Sequence, residues 1–247
     1  MARRGEEFGF RISGLEVDWT RIRARKDALV SSIVTNLERS LKENPRIELV
    51  RGSARFLGPK RIEVGGRAVQ AERVIVASGV APVVPDIPGL LEAGFETNET
   101  VMDMKELPRS MVVIGGGAEG MEFSQMLHRF GVRMTVLQRA EWVLPKEDEE
   151  ISRELEGILR EEGVDIRTGA RPERVERGSD GKLTVVTQIK GRAERIACDK
   201  ILVTAGRRPH ALSDMDLGKA GVEGTSERGI AVDQTLKTSA GDRKSVV

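Results

Sequence analysis

The sequence predicts an α/β protein in which short, buried strands of a parallel sheet alternate with helices. Three observations support this prediction. Met111–Ile114 is a continuously apolar run, typical of a strand covered on both faces. A glycine-rich turn and an amphipathic segment follow that run directly. Further apolar runs and helical segments then alternate as far as Gly206, the order that strand–helix–strand units produce.

Length, charge and hydropathy exclude several classes of partner. The 247 residues suffice for one large domain or two ordinary ones. The 40 Lys and Arg residues nearly balance 39 Asp and Glu, so a net charge of +1 gives no reason to expect nucleic acid or an anionic membrane. The basic cluster Arg21–Lys26 is interpreted as a solvated helix face. Without a membrane-length apolar run or a signal-peptide core, the sequence predicts a soluble, cytoplasmic protein.

Tyrosine, cysteine and histidine limit the chemistry further. Tyrosine is absent, which excludes mechanisms built on a tyrosine acid. Cys198 is the only cysteine, so no intrachain disulfide can form, and its strand-like surroundings favour a buried structural thiol over a reactive one. His128 and His210 lie far apart without an acidic pattern between them, so no metal site is predicted. His128 is expected on the surface near a helix end.

The first third of the chain combines one long helix with short strands. Apolar residues recur at helical spacing from Trp19 to Asn44: Ile22, Leu29, Ile33, Leu37 and Leu41. Pro45 ends this predicted helix. Short β signals follow in "IELVRGSARFL", in "RIEVGGRAVQ" with a Gly-Gly turn, and in "RVIVASG". The proline-rich "APVVPDIPG" is predicted to be an extended connection.

The pattern from Leu107 onwards is that of a nucleotide-binding unit. After the first strand, a helix is predicted over Glu119–Phe130, closed by Gly131. "RMTVLQR" is a second strand, and a second helix follows with an apolar stripe of Ile151, Leu155, Ile158 and Leu159. "VDIRTG", a three-segment meander and "KILVTAG" complete the order.

The glycine turn carries the chemistry. Gly115, Gly117 and Gly120 have GxGxxG spacing, directly after a strand and directly before a helix. The first glycine permits the tight turn, the second lets the backbone approach a pyrophosphate, and the third lets helix and strand lie close. Spacing alone would also fit a plain structural corner, but this context favours dinucleotide binding.

The end of the second strand bears on the choice of dinucleotide. NAD sites usually place Asp or Glu there to accept hydrogen bonds from the ribose. Here the neutral Gln138 precedes the cationic Arg139, a pair that suits a 2′-phosphate. The sequence therefore favours NADPH over NADH, although Arg139 could simply face solvent.

Several segments together resemble the pyridine nucleotide–disulfide oxidoreductases, flavoenzymes of the dihydrolipoamide dehydrogenase and mercuric reductase type. They are "LPRSMVVIGGGAEGMEF", "RMTVLQR", "ILVTAGRRP", "VRGSARFLGP" and "RVIVASGVAPVVPDIPG". The resemblance runs from about Ala2 to Ser239. It implies a Rossmann-like NAD(P)-binding domain, with parallel sheet and β-meander, inserted in a partial FAD-binding domain of the two-dinucleotide-binding-domain flavoprotein type.

The resemblance also implies domain boundaries. We expect a partial FAD-binding domain over residues 1–105, an NAD(P)-binding domain over 106–211 and a return segment over 212–240. Residues 241–247 are expected to be an artefactual tail, because "DRKSVV" matches a translated sequencing-adapter string. In that case Asp242 has no flavin role.

The resemblance assigns roles to particular residues. The NAD(P) pyrophosphate would contact one continuous stretch: Gly115, Gly116, Gly117, Ala118, Glu119, Gly120, Met121 and Glu122. Gln138 and Arg139 would read the adenosine ribose, and Gly206 would lie near the nicotinamide. Glu122 would position the hydride donor, or be an ordinary exposed helix residue. Ala54, Ser78 and Gly79 would touch FAD, or serve turn and strand packing alone.

Departures from the family pattern limit what the chain itself can do. Ala118 stands where many members have an aromatic gate, and the CxxxxC redox pair, the first GxGxxG strand and the C-terminal interface domain are not found in the sequence. The expected function is that of an incomplete piece of an FAD-dependent NAD(P)H oxidoreductase, homodimeric in its parent, reducing a disulfide or mercuric ion. The alternative is a non-catalytic NAD(P)H-binding module. We also expect uncovered apolar faces in the first third of the chain.

Overall fold

A computed structural model describes residues 9, 14, 16–209, 212–225, 227–240 and 244–245. The expectations concerning the N-terminal residues, His210 and Asp242 lie outside the described residues, as does most of the 241–247 tail. The chain divides into two compact units: the first unit comprises residues 1–32 and 84–205, and the second unit comprises 33–83 and 206–247. Within the described part, no helix is long and apolar enough to span a membrane.

The helices and strands have the following bounds. The α-helices are α1 (Trp19–Glu43), α2 (Leu90–Ala93), α3 (Ala118–Arg129) and α4 (Glu149–Glu161). The strands before the glycine turn are β1 (Ala54–Gly58), β2 (Arg61–Val64), β3 (Arg67–Gln70), β4 (Ile75–Val76), β5 (Val80–Pro82) and β6 (Ser110–Ile114). Those that follow are β7 (Arg133–Gln138), β8 (Asp165–Thr168), β9 (Ala170–Arg177), β10 (Leu183–Ile189), β11 (Arg192–Cys198) and β12 (Lys200–Val203). The last are β13 (Arg207–Pro209), β14 (Gly224–Thr225), β15 (Gly229–Ile230) and β16 (Lys244–Ser245).

A parallel sheet is the centre of the first unit. Its order is β12–β6–β7–β8, and every neighbouring pair is parallel, which confirms the predicted α/β class. Strand β6 consists of Ser110 and the apolar run Met111–Ile114, and it is buried along its whole length, as a strand covered on both faces should be. Helices α3 and α4 are the crossovers that follow β6 and β7. Gly131 ends the first crossover with a φ of 100°, as predicted.

The two faces of this sheet have different covers because side chains alternate along a strand. On one face, Met111 and Val113 belong to a cluster with side chains of both crossover helices, among them Met121, Leu127 and Leu159. On the other face, Val112 and Ile114 join a cluster supplied by the meander: Val175, Leu183, Val185, Ile196 and Cys198. The meander itself is the antiparallel sheet β9–β10–β11.

The predicted apolar stripe of α4 is wrong in part. Leu159 is buried and Leu155 is half-buried, but Ile151 and Ile158 are 63% and 43% exposed. The inward face instead contains the buried Ser152, so the face follows positions 152, 155 and 159. Ile151 and Ile158 each precede an inward position by one residue, and one residue turns a helix by about 100°.

Helix α1 has the predicted extent, but most of the predicted apolar face is not covered. Leu29, Ile33 and Leu37 are between 57% and 61% exposed. Its first residue, Trp19, is buried in the first unit, where Nε1 donates to the Met104 carbonyl at 2.8 Å. The helix is therefore anchored at its start by a specific contact, while its later apolar side chains face solvent.

The second unit is built from small sheets. Strands β1, β2 and β3 form an antiparallel sheet, and the predicted Gly65–Gly66 turn joins β2 to β3 with φ values of 57° and 83°. The pairs β13–β5 and β14–β15 are antiparallel, and β16–β4 is parallel. A small core holds the unit together: Phe56, Val74, Val76, Leu212, Leu217, Ala220, Val222 and Ile230.

Two strand predictions in this unit are wrong in extent. The strand predicted from Ile47 begins only at Ala54, where pairing with Val64 of β2 begins. The segment "RVIVASG" contributes only the two residues of β4. In both cases β-forming residues lie outside any ladder, since a strand needs a hydrogen-bonding partner as well as local propensity.

Candidate functional site

The glycine turn joins the carboxyl end of β6 to the amino end of α3 in the first unit. Gly115 has a φ of 114°, and a Cβ there would lie 2.4 Å from the Thr204 carbonyl oxygen. A Cβ on Gly120 would lie 2.2 Å from the Gly115 carbonyl oxygen. Both distances exclude any side chain, so the first and third glycines are required by the close packing of turn, helix and strand.

Gly117 is glycine for a different reason. Its φ of −77° and ψ of −177° are extended values that any residue adopts. No atom lies within 4 Å of the place where its Cβ would be. The packing of the protein therefore does not require a glycine here. The open space fits a ligand that approaches the backbone closely, as a dinucleotide pyrophosphate does.

The start of α3 makes the glycine turn electrostatically positive. Its N-cap is Gly117, which has no side chain to accept a hydrogen bond from the first-turn amides. Those amides and the positive end of the helix dipole favour an anion. Ala118 and Glu122 are exposed and Glu119 is half-buried. Met121 is buried in the core, so its side chain contributes packing.

The side chain of Gln138, at the end of β7, faces the glycine turn. Its Oε1 accepts a hydrogen bond from the Gly116 amide at 3.0 Å, and its Nε2 donates to the Trp142 carbonyl at 3.3 Å. Arg139 is exposed and makes no ion pair with any residue that the structure describes. The structure thus places the Gln138 side chain against the turn and leaves Arg139, the next residue, facing solvent.

The remaining predicted cofactor residues belong to the second unit. Ala54 begins β1, and Ser78 and Gly79 follow β4; all three are exposed. Gly79 has a φ of 75°, a conformation that favours glycine whether or not a ligand is present. Gly206 has a φ of 124°, and its carbonyl accepts from the Val83 amide at 2.8 Å.

The structure identifies two further contacts to the turn that the sequence did not predict. The Thr204 hydroxyl, just after β12, donates to the Gly115 carbonyl at 2.8 Å. The Leu144 amide donates to the Gly116 carbonyl, also at 2.8 Å. The only sequence signal for Thr204 is its place at the end of an apolar strand, since its partner lies 89 positions away.

His128 is not the surface residue that was predicted. Its ring is half-buried, and Nε2 lies 2.7 Å from the Glu162 carbonyl oxygen, so this nitrogen donates to the last residue before Gly163. Arg129 reaches the Glu162 carboxylate through Nη2 at 2.6 Å, and this hydrogen bond lowers the carboxyl pKa. The helix end that carries His128 is thus packed against the end of α4, which local sequence does not reveal.

Cys198 agrees with the structural interpretation. Its side chain is buried in the cluster under the meander, and this burial raises the pKa of the thiol to about 11. A thiol with that pKa holds its proton at neutral pH and is a poor nucleophile. Among the residues that the structure describes, no group of His, Cys, Asp or Glu could hold a metal ion.

Known proteins that are similar in sequence to this chain include a mercuric reductase and a dihydrolipoyl dehydrogenase. A family model described as pyridine nucleotide-disulphide oxidoreductase matches residues 3–242. Mercuric reductase from Lysinibacillus sphaericus is 35% identical over 94% of this chain and 42% of its own length. Dihydrolipoyl dehydrogenase from Thermus scotoductus is 36% identical over 95% of this chain and 50% of its own length.

A solved structure has the same fold. The HOCl-induced flavoprotein disulfide reductase RclA from Escherichia coli superposes with a TM-score of 0.82 at 29% identity, covering 94% of this chain and 52% of RclA. This likeness confirms the predicted two-dinucleotide-binding flavoprotein fold. The chain spans about half the length of the relatives it matches.

Proposed function

Because the chain belongs to the pyridine nucleotide–disulphide oxidoreductase family, we propose that it provides the NAD(P)H-binding part of an FAD-dependent oxidoreductase. FAD, when bound, would pass the electrons of the hydride on to a disulfide or to mercuric ion. The residues of this chain bind and orient the hydride donor. The resemblance further suggests a homodimeric whole protein. We propose the cytoplasm as its compartment, and the cation of Arg139 favours NADPH over NADH.

One observation carries the proposal: the open approach to Gly117 at the amino end of α3. The turn presents backbone amides and a positive helix end, with no side chain from Gly117 in the way. A pyrophosphate is the anion that this arrangement suits best, because a dinucleotide places two adjacent phosphates between two nucleosides. Arg139 then supplies a cation at the adjoining strand end, where a 2′-phosphate would lie.

For the residues proposed to contact FAD, only their exposure to solvent supports the assignment. Ala54, Ser78 and Gly79 are exposed, so a flavin could reach them. No second GxGxxG occurs in the sequence to hold the pyrophosphate of FAD. We therefore restrict the proposed binding role of the chain to NAD(P)H and assign flavin contacts only to the whole protein.

Gly117→Ala tests the proposal directly. A methyl group at this position meets no protein atom within 4 Å, so the variant should melt at the wild-type temperature. It would fill the space of the pyrophosphate, and we expect NADPH affinity to fall at least about tenfold in a fluorescence titration. Gly157→Ala is the matched control, because its site on α4 is equally open and remote in sequence. Equal NADPH affinity in both variants would refute the assigned site.

The second candidate function is a non-catalytic NAD(P)H-binding module. The observation in its favour is that the only cysteine is buried, so the chain has no pair of thiols to exchange with a disulfide. Purified chain with flavin absorbance that oxidises NADPH in the presence of a dye acceptor would reject this alternative. Colourless chain that binds NADPH without oxidising it would support the module.

A further inference from the structure

We propose that Gln138 is a positioning residue that holds the glycine turn in its phosphate-binding conformation, and that it does not read the adenosine ribose. This inference rests on the proposed function and deepens it, because it separates the residue that shapes the phosphate site from the residue that selects the dinucleotide.

The amide of Gln138 is already engaged within the protein. Its Oε1 accepts from the Gly116 amide and its Nε2 donates to the Trp142 carbonyl. A glutamine amide has one further lone pair and one further N–H. The residue is only 7% exposed, so little of that remaining capacity is open to a ligand. A side chain that reads a ribose needs an accessible polar end, and here the accessible group is Arg139.

Both the amide and the carbonyl of Gly116 are hydrogen-bonded to residues of the segment 138–144. Its amide donates to Gln138, and its carbonyl accepts from the Leu144 amide at 2.8 Å. The Cβ of Gln138 would lie 3.0 Å from a Cβ at Gly116, and Cγ1 of Val143 would lie 3.3 Å from it. Residues 138–144 therefore fix the back of the turn by hydrogen bonds and by packing.

The conformation of Leu144 is part of this support. Its φ of 49° is in the left-handed region, which is unfavourable for a branched side chain. The conformation is held because the Leu144 carbonyl accepts from the Ser152 hydroxyl at 3.2 Å and from the Glu147 amide at 2.9 Å. An unfavourable backbone conformation that several hydrogen bonds maintain is typical of a site whose geometry matters for function.

The place of Gly116 in the chain explains what this support achieves. Gly115, on one side, is fixed by Thr204. Gly117, on the other side, is the N-cap of α3, and no atom lies within 4 Å of the place where its Cβ would be. The direction of the Gly117 amide and of the first helical amides thus depends on how the Gly116 peptide is held. Loss of the Gln138 bonds should weaken phosphate binding for every adenine dinucleotide alike.

The test compares ADP with 2′-deoxy-ADP, and NADH with NADPH, on wild type and on Gln138→Met. Methionine has a similar length and retains neither hydrogen bond. We expect all four ligands to bind about tenfold more weakly by calorimetry, with the ADP to 2′-deoxy-ADP ratio and the NADH to NADPH ratio unchanged. Hydrogen exchange at the Gly116 amide should become faster in the absence of ligand. Gln125→Met, which removes one half-buried glutamine bond to Glu162, should leave all four affinities unchanged.

Other outcomes would overturn the proposal in distinguishable ways. Loss of the preference for ADP over 2′-deoxy-ADP in Gln138→Met would make Gln138 a ribose reader. A lower melting temperature with wild-type affinities would make it a merely structural residue. If Gln138→Met does not fold, Gln138→Leu takes its place, because leucine also retains neither hydrogen bond, and a changed ADP to 2′-deoxy-ADP ratio there would equally refute the positioning role. Wild-type chain that binds none of the four ligands would reject the proposed function itself.

Discussion

Arg139 is the exposed cation at the end of β7, and under the proposed function its charge selects the dinucleotide. Arg139→Glu would place a carboxylate where a 2′-phosphate is expected, which exchanges attraction for repulsion. We expect NADPH affinity to fall about tenfold to a hundredfold, with NADH affinity changed far less. The measurement is a pair of fluorescence titrations, one for each dinucleotide.

The control for Arg139 lies at the opposite end of β7, the strand that Arg139 follows. Arg133 begins β7 and is also exposed, and six residue steps of about 3.3 Å place it about 20 Å from Arg139. Arg133→Glu makes the same change in net charge and should leave the ratio of NADH to NADPH affinity unaltered. A ratio that stays at the wild-type value in Arg139→Glu would show that this arginine only faces solvent.

The buried thiol of Cys198 makes stability depend on pH in the alkaline range. Burial raises its pKa from 9.0 to about 11 in the native state. Between these values the unfolded chain releases the proton while the native chain retains it. Stability is therefore fully present below about pH 9 and declines as the pH rises towards 11, by roughly 2 kcal/mol at pH 10.5.

Cys198→Ala isolates this effect from all other titrations. Wild type and variant should be compared by urea unfolding at pH 7.5 and at pH 10.5. We expect the wild type to be more stable at pH 7.5, because alanine leaves space in the cluster under the meander. That advantage should shrink at pH 10.5. An advantage of equal size at both pH values would mean that the thiol titrates normally in the native protein.

At the scale of elements, α4 shows how a crossover helix is oriented by the sheet that it covers. Leu159 is 1% exposed, whereas the adjacent Ile158 is 43% exposed. Leu159→Ala should cost about 2 to 5 kcal/mol of unfolding free energy, because it empties a filled core position. Ile158→Ala should cost less than about 1 kcal/mol, since alanine also favours helix formation. Urea unfolding of both variants tests the orientation. Similar losses would place both side chains in the core.

The elements that could be predicted from the sequence are those whose conformation depends on a few neighbouring residues. The apolar run of β6, the glycine spacing after it and Gly131 at the end of α3 are of this kind, and the structure has all three. The buried face of α4 was predicted only in part, because helical spacing gives a stripe without showing which edge meets the sheet. The start of β1 was missed because it depends on pairing with β2.

The same limit applies to the candidate site. The turn was predictable because its three glycines lie within six positions of the chain. The partners that hold it were not predictable. The Gln138 amide reaches back 22 positions to Gly116, and the Thr204 hydroxyl reaches 89 positions to Gly115. A sequence shows that Gln138 is neutral and ends a strand, but only the fold shows that its side chain is turned inwards.

At the scale of the whole molecule, the two units differ in how well their apolar residues are covered. In the first unit, both faces of the parallel sheet lie under continuous clusters. In the second unit a small core coexists with apolar residues that remain accessible: Ile33, Val34, Leu37, Ile47, Leu49, Val50 and Ile75. Exposed apolar surface of this kind promotes association, so we expect the purified chain to be poorly soluble at high concentration.

Native-state hydrogen exchange should resolve this difference along the chain. Amides of β6, β7 and β12 are bonded within a buried sheet, so they should exchange only through global unfolding. Residues 46–53 belong to no strand and are exposed, so their amides should exchange within seconds. Added NADPH should slow exchange at residues 115–122 and leave residues 46–53 unchanged if the glycine turn is the binding site. Slow exchange and well-dispersed amide signals throughout residues 46–53 would show instead that this segment is as firmly ordered as the parallel sheet.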